Sequence, residues 1–370
     1  MPIYPHLQGN SNGTHQMPDK GKGRISSRRA FRLNQWRIVT SISCLGFLAS
    51  SYKWLTQISH APQDRNLVAT QTRVPLSLPF SLLESHLDEM LKYRSQNGTI
   101  VLVGFTEGYK DMLLNMVCRW KELNVENYAI VAFDLPSFLF CWERSLPCLF
   151  VWPESESFAK TSLSLPLGQT DSALYAWNSE GFKHITKRKS QQVLRILEQG
   201  YNVLWTDVDV FWKANPMPNL LGLLGTNDAD VLIQSDATAE KEASIWVNSG
   251  FYYVRQSERT VRVFQEIVKD AAEAHDQSEQ PSFHRVLCQR RLDADNCVND
   301  DLSVLTHVLD RWEYAHGAMV DVLSNTLIDT KNDVVTMHFN YRAGVEEKKS
   351  CFQIGNMWLL EGDDKTCRAI

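Results

Sequence analysis

The sequence lacks several features that would place it in other classes of protein. It has no Cys-x-x-Cys pair and no cysteine–histidine spacing typical of structural zinc. It also has no internal repeat. Acidic residues are nearly absent from the first 37 residues, where Asp19 stands against seven lysines and arginines. That tail has a net charge of +6, which leaves −11 for the rest of a chain whose net charge is −5. An acidic main body argues against nucleic acid as a partner.

One long apolar run follows the basic tail. Residues 38–58 contain a single charge, Lys53, and a bilayer span needs about 20 mostly apolar residues. The positive charge before the run predicts a single-pass type II signal anchor in a membrane, with residues 1–37 in the cytoplasm. A stem, residues 59–96, and a lumenal main domain, residues 97–370, are expected to follow. An acid-poor N-terminus rich in arginine and serine also allows an organelle transit peptide or a cleaved signal.

Six of the eight cysteines fall into couples that are close in sequence. An oxidising compartment would convert them into three short-loop disulfides and leave Cys118 unpaired, with Cys44 in the anchor. Proximity does not fix connectivity, and buried free cysteines are the alternative. Glycosylation of the Asn97-Gly98-Thr99 sequon would also fit a lumenal domain. The expected pairs are Cys141 with Cys148, Cys288 with Cys297, and Cys351 with Cys367.

From about residue 97 the chain alternates strand and helix patterns. Residues 99–105 and 128–134 are apolar strands, and residues 109–124 between them have helical spacing. Strand, helix, strand predicts a βαβ unit in a parallel sheet, with ligands beyond the carboxyl ends of the strands. Residues 136–172 are rich in loop signals and receive no function. Further helices are predicted at 181–199 and 257–275, and further strands at 202–205, 229–235, 246–255 and 334–340.

Two aspartates end one of these strands, in the stretch "NVLWTDVDVFW". Side chains alternate along a strand, so Asp207 and Asp209 share a side and can reach one hard cation. The alternative is that the two aspartates are ordinary solvated surface residues. The apolar residues 210–212 argue against it, because they continue the buried pattern directly after the pair. In haloacid-dehalogenase-like phosphatases such a motif opens the domain, whereas here two strands and two helices precede it. In transferases that use nucleotide sugars the motif lies in mid-domain and holds a metal against the diphosphate.

Five segments occur in a fixed order: "GFKHITKRKSQQVLRILEQGYNVLWTDVDVFWKANP", "VLIQSD", "VNSGFYYVR", "DQSEQPSFHRVL" and "MHFNYRAGVEEKKS". The series resembles the nucleotide-diphospho-sugar transferases of glycosyltransferase family 77 over roughly residues 97–350. This resemblance implies a GT-A-type α/β fold, with a central, mostly parallel sheet flanked by helices. Residues 97–370 would then be the glycosyltransferase catalytic domain.

The resemblance also implies a metal and donor site. Asp207 and Asp209 would bind Mn²⁺ or Mg²⁺ and the donor diphosphate, and His338 would complete the metal site, since Mn²⁺ accepts mixed nitrogen and oxygen ligands. Asp276 and Gln277 resemble the pair that lies beneath the donor sugar in related retaining transferases. Ten further residues are expected to bind the donor: Thr106, Glu107, Asn115, Asp134, Lys189, Asn248, Ser249, Gly250, Gly344 and Lys348.

Structural alternatives stay open for several of these residues. His338 could be a core histidine, and Asn115 could face solvent. Lys189 belongs to a run of basic residues that could be a solvated helix face. Gly250 could mark a bulge in an ordinary strand, and Asp276 could be a helix cap.

The function implied is metal-dependent transfer of a sugar from a UDP-sugar to a glycan or glycoprotein acceptor, with retention of configuration, in the Golgi lumen. Within the family, the resemblance is to transferases that move xylose from UDP-xylose to fucose. One alternative is a non-catalytic module of the same fold that binds glycans or nucleotide sugars. The other is an Asp-x-Asp phosphohydrolase.

Overall fold

The structure is a computed structural model that describes residues 83–151, 179–237, 246–275, 277–318, 334–362 and 366–368. The predicted cytoplasmic tail, the signal anchor at 38–58 and most of the stem lie outside these residues. Among the helices described, none combines the length and apolar character needed to cross a membrane.

Eight α-helices are described, and most follow the apolar spacing of the sequence. The helices predicted at 109–124, 181–199 and 257–275 are confirmed as α2, α4 and α6. Ser179 caps α4 by accepting a hydrogen bond from the Phe182 N–H, which explains where that helix begins. The helices are α1 Leu83–Arg94, α2 Lys110–Glu122, α3 Leu135–Glu143, α4 Glu180–Glu198, α5 Met217–Asn227, α6 Glu258–Glu273, α7 Gln280–Leu287 and α8 Gly344–Ile354.

Twelve strands are described, and they form two sheets. They are β1 Thr99–Phe105, β2 Tyr128–Ala132, β3 Cys148–Phe150, β4 Asn202–Asp207, β5 Val210–Trp212, β6 Val231–Ser235, β7 Val247–Val254, β8 Arg290–Arg291, β9 Asn296–Asn299, β10 Val304–Leu309, β11 Tyr314–Ala315 and β12 Thr336–His338. The large sheet has the order β3-β2-β1-β4-β7-β6-β10-β9-β8, and the small sheet has the order β11-β12-β5.

The large sheet is mixed, so the expectation of a mostly parallel sheet is confirmed only in part. Its first four strands are parallel, which confirms the βαβ unit, but β7 pairs antiparallel with both β4 and β6. A parallel pair needs a crossover of a dozen or more residues. Only 11 residues separate β6 from β7 in the sequence, and β7 runs antiparallel beside β6.

Hydrophobic residues cover both faces of the large sheet. Val101 and Val103 of β1 pack into one core, and Ile100 and Leu102 pack into the other. This division follows from the alternation of side chains along a strand. Helix α1, which lies in the part of the chain assigned to the stem, buries Leu87 in the second core.

The disulfides correct part of the cysteine prediction. Cys288–Cys297 is confirmed, but Cys367 bonds to Cys118, with a Cα–Cα distance of 5.6 Å, and Cys351 is free. The reason lies in α2, where the Asn115 amide donates to the Met357 carbonyl and accepts from the Leu359 N–H. These two bonds hold the C-terminal segment against α2, beside Cys118. The predicted bond of Cys141 to Cys148 is not formed, and both thiols are buried.

Candidate metal centre and active site

Asp207, Asp209 and His338 meet where the two sheets join. One carboxylate oxygen from each aspartate and one ring nitrogen of His338 all lie within 4.8 Å of one another. Strand β4 ends at Asp207, and β12 runs antiparallel to β5 with His338 opposite Val210. The Phe339 N–H also donates to the Asp209 carbonyl at 3.0 Å. Backbone pairing between distant parts of the chain therefore assembles the group that the sequence analysis expected.

The space around this group fits a cation bound by carboxylates and an imidazole. A Cβ atom on Gly250 would lie 2.3 Å from the His338 Cε1 and 2.9 Å from an Asp207 carboxylate oxygen. Only glycine leaves both ligands in place at this position. Two hard oxygen donors and one imidazole nitrogen form a set that suits Mn²⁺ better than a soft metal ion.

Lys189 reaches the more exposed of the two carboxylates. Its ammonium lies 3.1 Å from Asp207 Oδ1 and 3.0 Å from Glu279 Oε1. Burial acts to lower the pKa of Lys189, but the two carboxylates outweigh it and raise that pKa above its ordinary value. The neighbouring Lys187 and Arg188 instead donate to backbone carbonyls. Of the basic run, Lys189 is thus the residue placed to offset negative charge at the cluster.

Asp209 is the buried member of the pair, with 6% of its side chain exposed against 27% for Asp207. Lys348, on α8, donates to Asp209 Oδ2 at 2.5 Å, and His338 Nε2 lies 3.3 Å from Oδ1. Burial acts to raise the pKa of Asp209, but Lys348 and His338 outweigh it and hold that pKa well below its usual range. Asp209 is therefore ionised at neutral pH, and Asp207 is the ligand that is open to an arriving substrate.

Trp205 orients the exposed carboxylate, and the sequence analysis missed it. Its indole N–H donates to Asp207 Oδ1 at 2.8 Å. The two residues are two apart on β4, so their side chains lie on the same face. The signal was present, because a buried indole N–H usually has a hydrogen-bond acceptor and Asp207 offers one on the same face of β4.

Beside the metal group, residues of β7 form a polar wall. The Asn248 carboxamide donates to Asp236 Oδ1 and accepts from the Gly250 N–H, at 2.9 and 2.8 Å. The Ser249 hydroxyl donates to Glu279 Oε1 at 2.9 Å. The three β7 residues expected at the donor site therefore lie together in the structure.

Gln277, expected beneath the donor sugar, does not lie at this wall. It is exposed, and its amide oxygen accepts from Arg285. Asp276 lies outside the described residues. The acid–amide pair that reaches the wall comes three residues later: Glu279 is buried against Ser249 and Lys189, and the Gln280 amide accepts from the Ser249 N–H and donates to Asp236.

The family resemblance places the acid–amide pair at Asp276 and Gln277, whereas the structure brings Glu279 and Gln280 to the wall. The pair Gln280-Pro281 opens α7, and Glu279 directly precedes that helix. Helix geometry therefore fixes Glu279 and Gln280, whereas Gln277 lies in a short irregular connection. Proline at the start of a helix was the signal that favoured the later pair.

The residues expected around the nucleotide divide into two groups. Thr106 and Glu107 follow β1, Asp134 follows β2, and the Glu107 N–H donates to Asp134 Oδ2 at 3.2 Å. These three lie together at the carboxyl ends of neighbouring parallel strands. Asn115 does not join them, because it is fully buried and its amide holds the C-terminal segment.

Of the two residues expected near the phosphates on α8, one reaches the cluster. Lys348 contacts Asp209, and its ammonium also lies 5.8 Å from the centre of the Tyr109 ring. Burial raises the pKa of the Tyr109 hydroxyl, against the lowering effect of Lys348. Gly344 begins the helix in a left-handed conformation with φ of +74°, which glycine adopts without strain. Its contribution is to the direction of α8, four residues before Lys348.

Comparisons with known proteins show that the chain is similar to sugar transferases. The sequence model of the nucleotide-diphospho-sugar transferase family matches residues 123–352. Beta-arabinofuranosyltransferase RAY1 of Arabidopsis thaliana is 36% identical over 297 residues, which cover 78% of this chain and 49% of that protein. UDP-D-xylose:L-fucose alpha-1,3-D-xylosyltransferase MGP4 of the same plant is 21% identical, and the match covers 74% of each chain. The chain thus spans about half the length of RAY1.

Among solved structures, the galactosyltransferase LgtC in complex with donor and acceptor sugar analogues matches with a TM-score of 0.42 and 10% identity. That match covers 70% of this chain and 95% of LgtC. A likeness of this size is too low to support an argument about the site.

Proposed function

The chain belongs to the nucleotide-diphospho-sugar transferase family, in the glycosyltransferase family 77 group, and from this membership we propose a metal-dependent transfer of a pentose from a UDP-sugar to a glycan. The observation that carries the proposal is the group of Asp207, Asp209 and His338, whose ligand atoms lie within 4.8 Å of one another. A GT-A-type domain uses such a group to hold Mn²⁺ or Mg²⁺ against the donor diphosphate.

The ion, when bound, supplies Lewis-acid stabilisation of the departing nucleoside diphosphate. The protein supplies the remaining charge and the geometry. Lys189 and Lys348 are buried cations at the two aspartates, placed to neutralise phosphate oxygens without reorganisation. Leaving-group charge would then develop beside two lysine ammonium groups that are already in place.

The donor sugar is proposed to rest on the β7 wall. Gly250 leaves room beside the wall for the side chains of His338 and Asp207, and Asn248 fixes the wall by bonding both Asp236 and Gly250. Glu279 and Gln280 replace the earlier expectation of Asp276 and Gln277 as the acid–amide pair nearest the sugar. Retention of configuration remains a proposal based on the family resemblance.

A pentose donor is favoured by the names of the two relatives described above. RAY1 is an arabinofuranosyltransferase and MGP4 a xylosyltransferase, and both sugars have five carbons. The higher identity of RAY1 favours arabinofuranose over the xylose expected from the sequence. A pentose lacks the CH₂OH group of a hexose and needs a smaller pocket.

The Golgi lumen is the proposed location, with residues 38–58 as a type II signal anchor. Two structural disulfides favour an oxidising compartment. The basic tail before residue 38 favours a cytoplasmic N-terminus.

The experiment measures hydrolysis and transfer by the full-length chain with a panel of UDP-pentoses and UDP-galactose, with and without Mn²⁺. We expect turnover of a UDP-pentose that requires the ion and is abolished in Asp209→Asn, which removes the charge but keeps the shape. Asp228→Asn, at a position whose side chain is 98% exposed, is the matched control and should behave as wild type. Full turnover by Asp209→Asn, or turnover in excess chelator, contradicts the proposal. Stabilisation by UDP and Mn²⁺ without turnover would favour the non-catalytic module.

A further inference from the structure

Gln234 is a buried amide that lies directly behind His338. Its side chain is on β6 and is fully buried. The amide oxygen lies 2.8 Å from His338 Nδ1. The amide nitrogen donates to the backbone carbonyls of Tyr314 and Ala315, at 3.0 Å each. Neither the sequence analysis nor the family resemblance assigned a role to this residue.

The hydrogen bonds of Gln234 determine which way its amide faces. Carbonyl oxygens only accept hydrogen bonds, so the group facing Tyr314 and Ala315 must be the NH₂. Rotating the amide by 180° would set its oxygen against two carbonyl oxygens, both in a buried site. The oxygen of Gln234 therefore faces His338. Only this orientation gives hydrogen bonds to the Tyr314 carbonyl, the Ala315 carbonyl and the His338 ring together.

The proton position on His338 follows from this orientation. The Gln234 oxygen can only accept, so Nδ1 of His338 must carry the proton that it donates. Nε2 is then the nitrogen left to bind a cation through its lone pair, or, in the metal-free chain, to donate a proton to a nearby carboxylate. That nitrogen is the one 3.3 Å from Asp209 Oδ1, on the side of the metal group.

The pairing of strand β6 is irregular at Gln234 itself. The register of β6 against β7 shifts between Ile233 and Gln234, and Gln234 is then opposite Asn248. Such irregularities redirect side chains, and they recur beside active sites. The redirected Gln234 joins the large sheet to the small sheet, since Tyr314 and Ala315 form β11 and His338 ends β12.

We propose that Gln234 is a positioning residue of the metal site: it holds His338 in the tautomer protonated on Nδ1, so that Nε2 offers its lone pair to the divalent cation. The inference rests on the proposed metal dependence. A histidine ligand usually donates its second N–H to such an acceptor, and loss of that acceptor lowers metal affinity by about 10- to 100-fold. Gln234 does not touch the donor or the ion.

The first test is a titration of the full-length chain with Mn²⁺. The electron paramagnetic resonance signal of the free ion measures how much Mn²⁺ stays unbound. Gln234→Met keeps most of the side-chain volume but has no acceptor for the His338 N–H. We expect its dissociation constant for Mn²⁺ to rise by about 10- to 100-fold. The control is Thr336→Val, which changes a buried hydroxyl that has no hydrogen-bond partner, two residues before His338 on the same strand. That variant should bind Mn²⁺ as wild type does.

The second test needs no change at Gln234. Long-range ¹H–¹⁵N spectra of the metal-free chain, labelled on histidine and recorded at mildly alkaline pH, report the tautomer directly. The His338 signal is identified by its loss in His338→Gln. We expect the proton on Nδ1 in wild type, whereas a merely structural role for Gln234 would not fix its position.

The outcomes separate this inference from the proposed function. Wild-type binding of Mn²⁺ with unchanged affinity in folded Gln234→Met overturns the role of Gln234 and leaves the metal site standing. The absence of a proton from Nδ1 of His338 in wild type overturns it as well. A wild-type titration in which no Mn²⁺ binds overturns the metal site itself, and the role of Gln234 with it.

Discussion

His338 of β12 lies directly opposite Val210 of the antiparallel strand β5. Val210 is the residue that follows Asp209. Side chains alternate along both strands, so a slip of one residue would turn His338 to the other face. The register of this short pair therefore decides whether the imidazole meets the two carboxylates. The apolar residues after Asp209 form β5, the strand against which β12 aligns.

Gly250→Ala should weaken metal binding while preserving the fold. The new methyl group would lie 2.3 Å from His338 Cε1 and 2.9 Å from Asp207 Oδ2, so both ligands must move. Overpacking of this kind costs about 1–3 kcal/mol of unfolding free energy. Titration with Mn²⁺ and urea unfolding check the two effects.

Gly225→Ala is the matched control for that change. It lies in α5, with nothing within 4 Å of the added methyl group. Alanine in an exposed helix stabilises by about 0.5–1 kcal/mol relative to glycine, and Mn²⁺ binding should be unchanged. Wild-type affinity in Gly250→Ala would show that the close approach at Gly250 does not matter for the ligands.

Much of the fold could be predicted because its elements have strong local signals. The strand 99–105 and the helices near 181–199 and 257–275 have the apolar spacing that burial requires, and each was found within two residues of its observed bounds. The direction of β7 could not be predicted, because its apolar run is compatible with both parallel and antiparallel pairing to its neighbouring strands. The pairing of Cys118 with Cys367 depends on the tertiary contacts of Asn115, which no local pattern shows.

The site was predictable where chemistry and spacing coincide. Asp207 and Asp209 share one face of a strand end, and that geometry is local. Gln234 could not be predicted, because a buried glutamine in an apolar strand shows its role only through its partner, here His338. Trp205 could have been predicted, because its acceptor, Asp207, is two residues away on the same face of the strand. Glu279 was missed because Asp276-Gln277 and Glu279-Gln280 are both acid–amide pairs. The sequence alone does not show which of them the start of α7 orients.

Glu279 and Gln280, rather than Gln277, should matter for turnover. Gln280→Ala removes an amide that bonds the Ser249 N–H and Asp236, so we expect the transfer rate to fall by about 100-fold. Gln277→Ala should keep at least most of the wild-type rate, because that side chain is exposed and bonds Arg285. Steady-state rates of both variants with saturating donor and Mn²⁺ decide between them. Equal losses, or a larger loss in Gln277→Ala, would contradict the assignment.

Removal of the Cys118–Cys367 disulfide should destabilise the domain substantially. The bond closes a long loop, with a sequence separation of 249 residues, and loss of a native disulfide typically costs about 2–5 kcal/mol. The double variant Cys118→Ser, Cys367→Ser should therefore unfold at lower urea concentration. Cys351→Ser, which changes a free thiol, is the control and should unfold near wild type. A Cys351–Cys367 peptide in a non-reduced digest of the wild-type chain would refute the pairing.

His316 should make the domain less stable as the pH falls below neutrality. It is fully buried, with Nε2 2.8 Å from the Ala237 carbonyl and no partner at Nδ1, and burial lowers its pKa. In the unfolded chain a histidine has a pKa of about 6.5. Between that value and the lower folded pKa, the unfolded state binds a proton that the folded state does not. The free energy of unfolding must then decrease as the pH falls through this window.

Urea unfolding across a pH series, from above neutrality to mildly acid, measures this slope. His316→Gln removes the titrating ring but keeps a donor for Ala237, so its slope should be smaller than that of wild type. A residual slope is expected, because burial also lowers the pKa values of His284 and His307. His275→Gln, at an exposed position, is the control. If His316→Gln retains the full wild-type slope, the prediction is wrong. His316 would then have the same pKa in the folded and unfolded chain, and burial would not lower it.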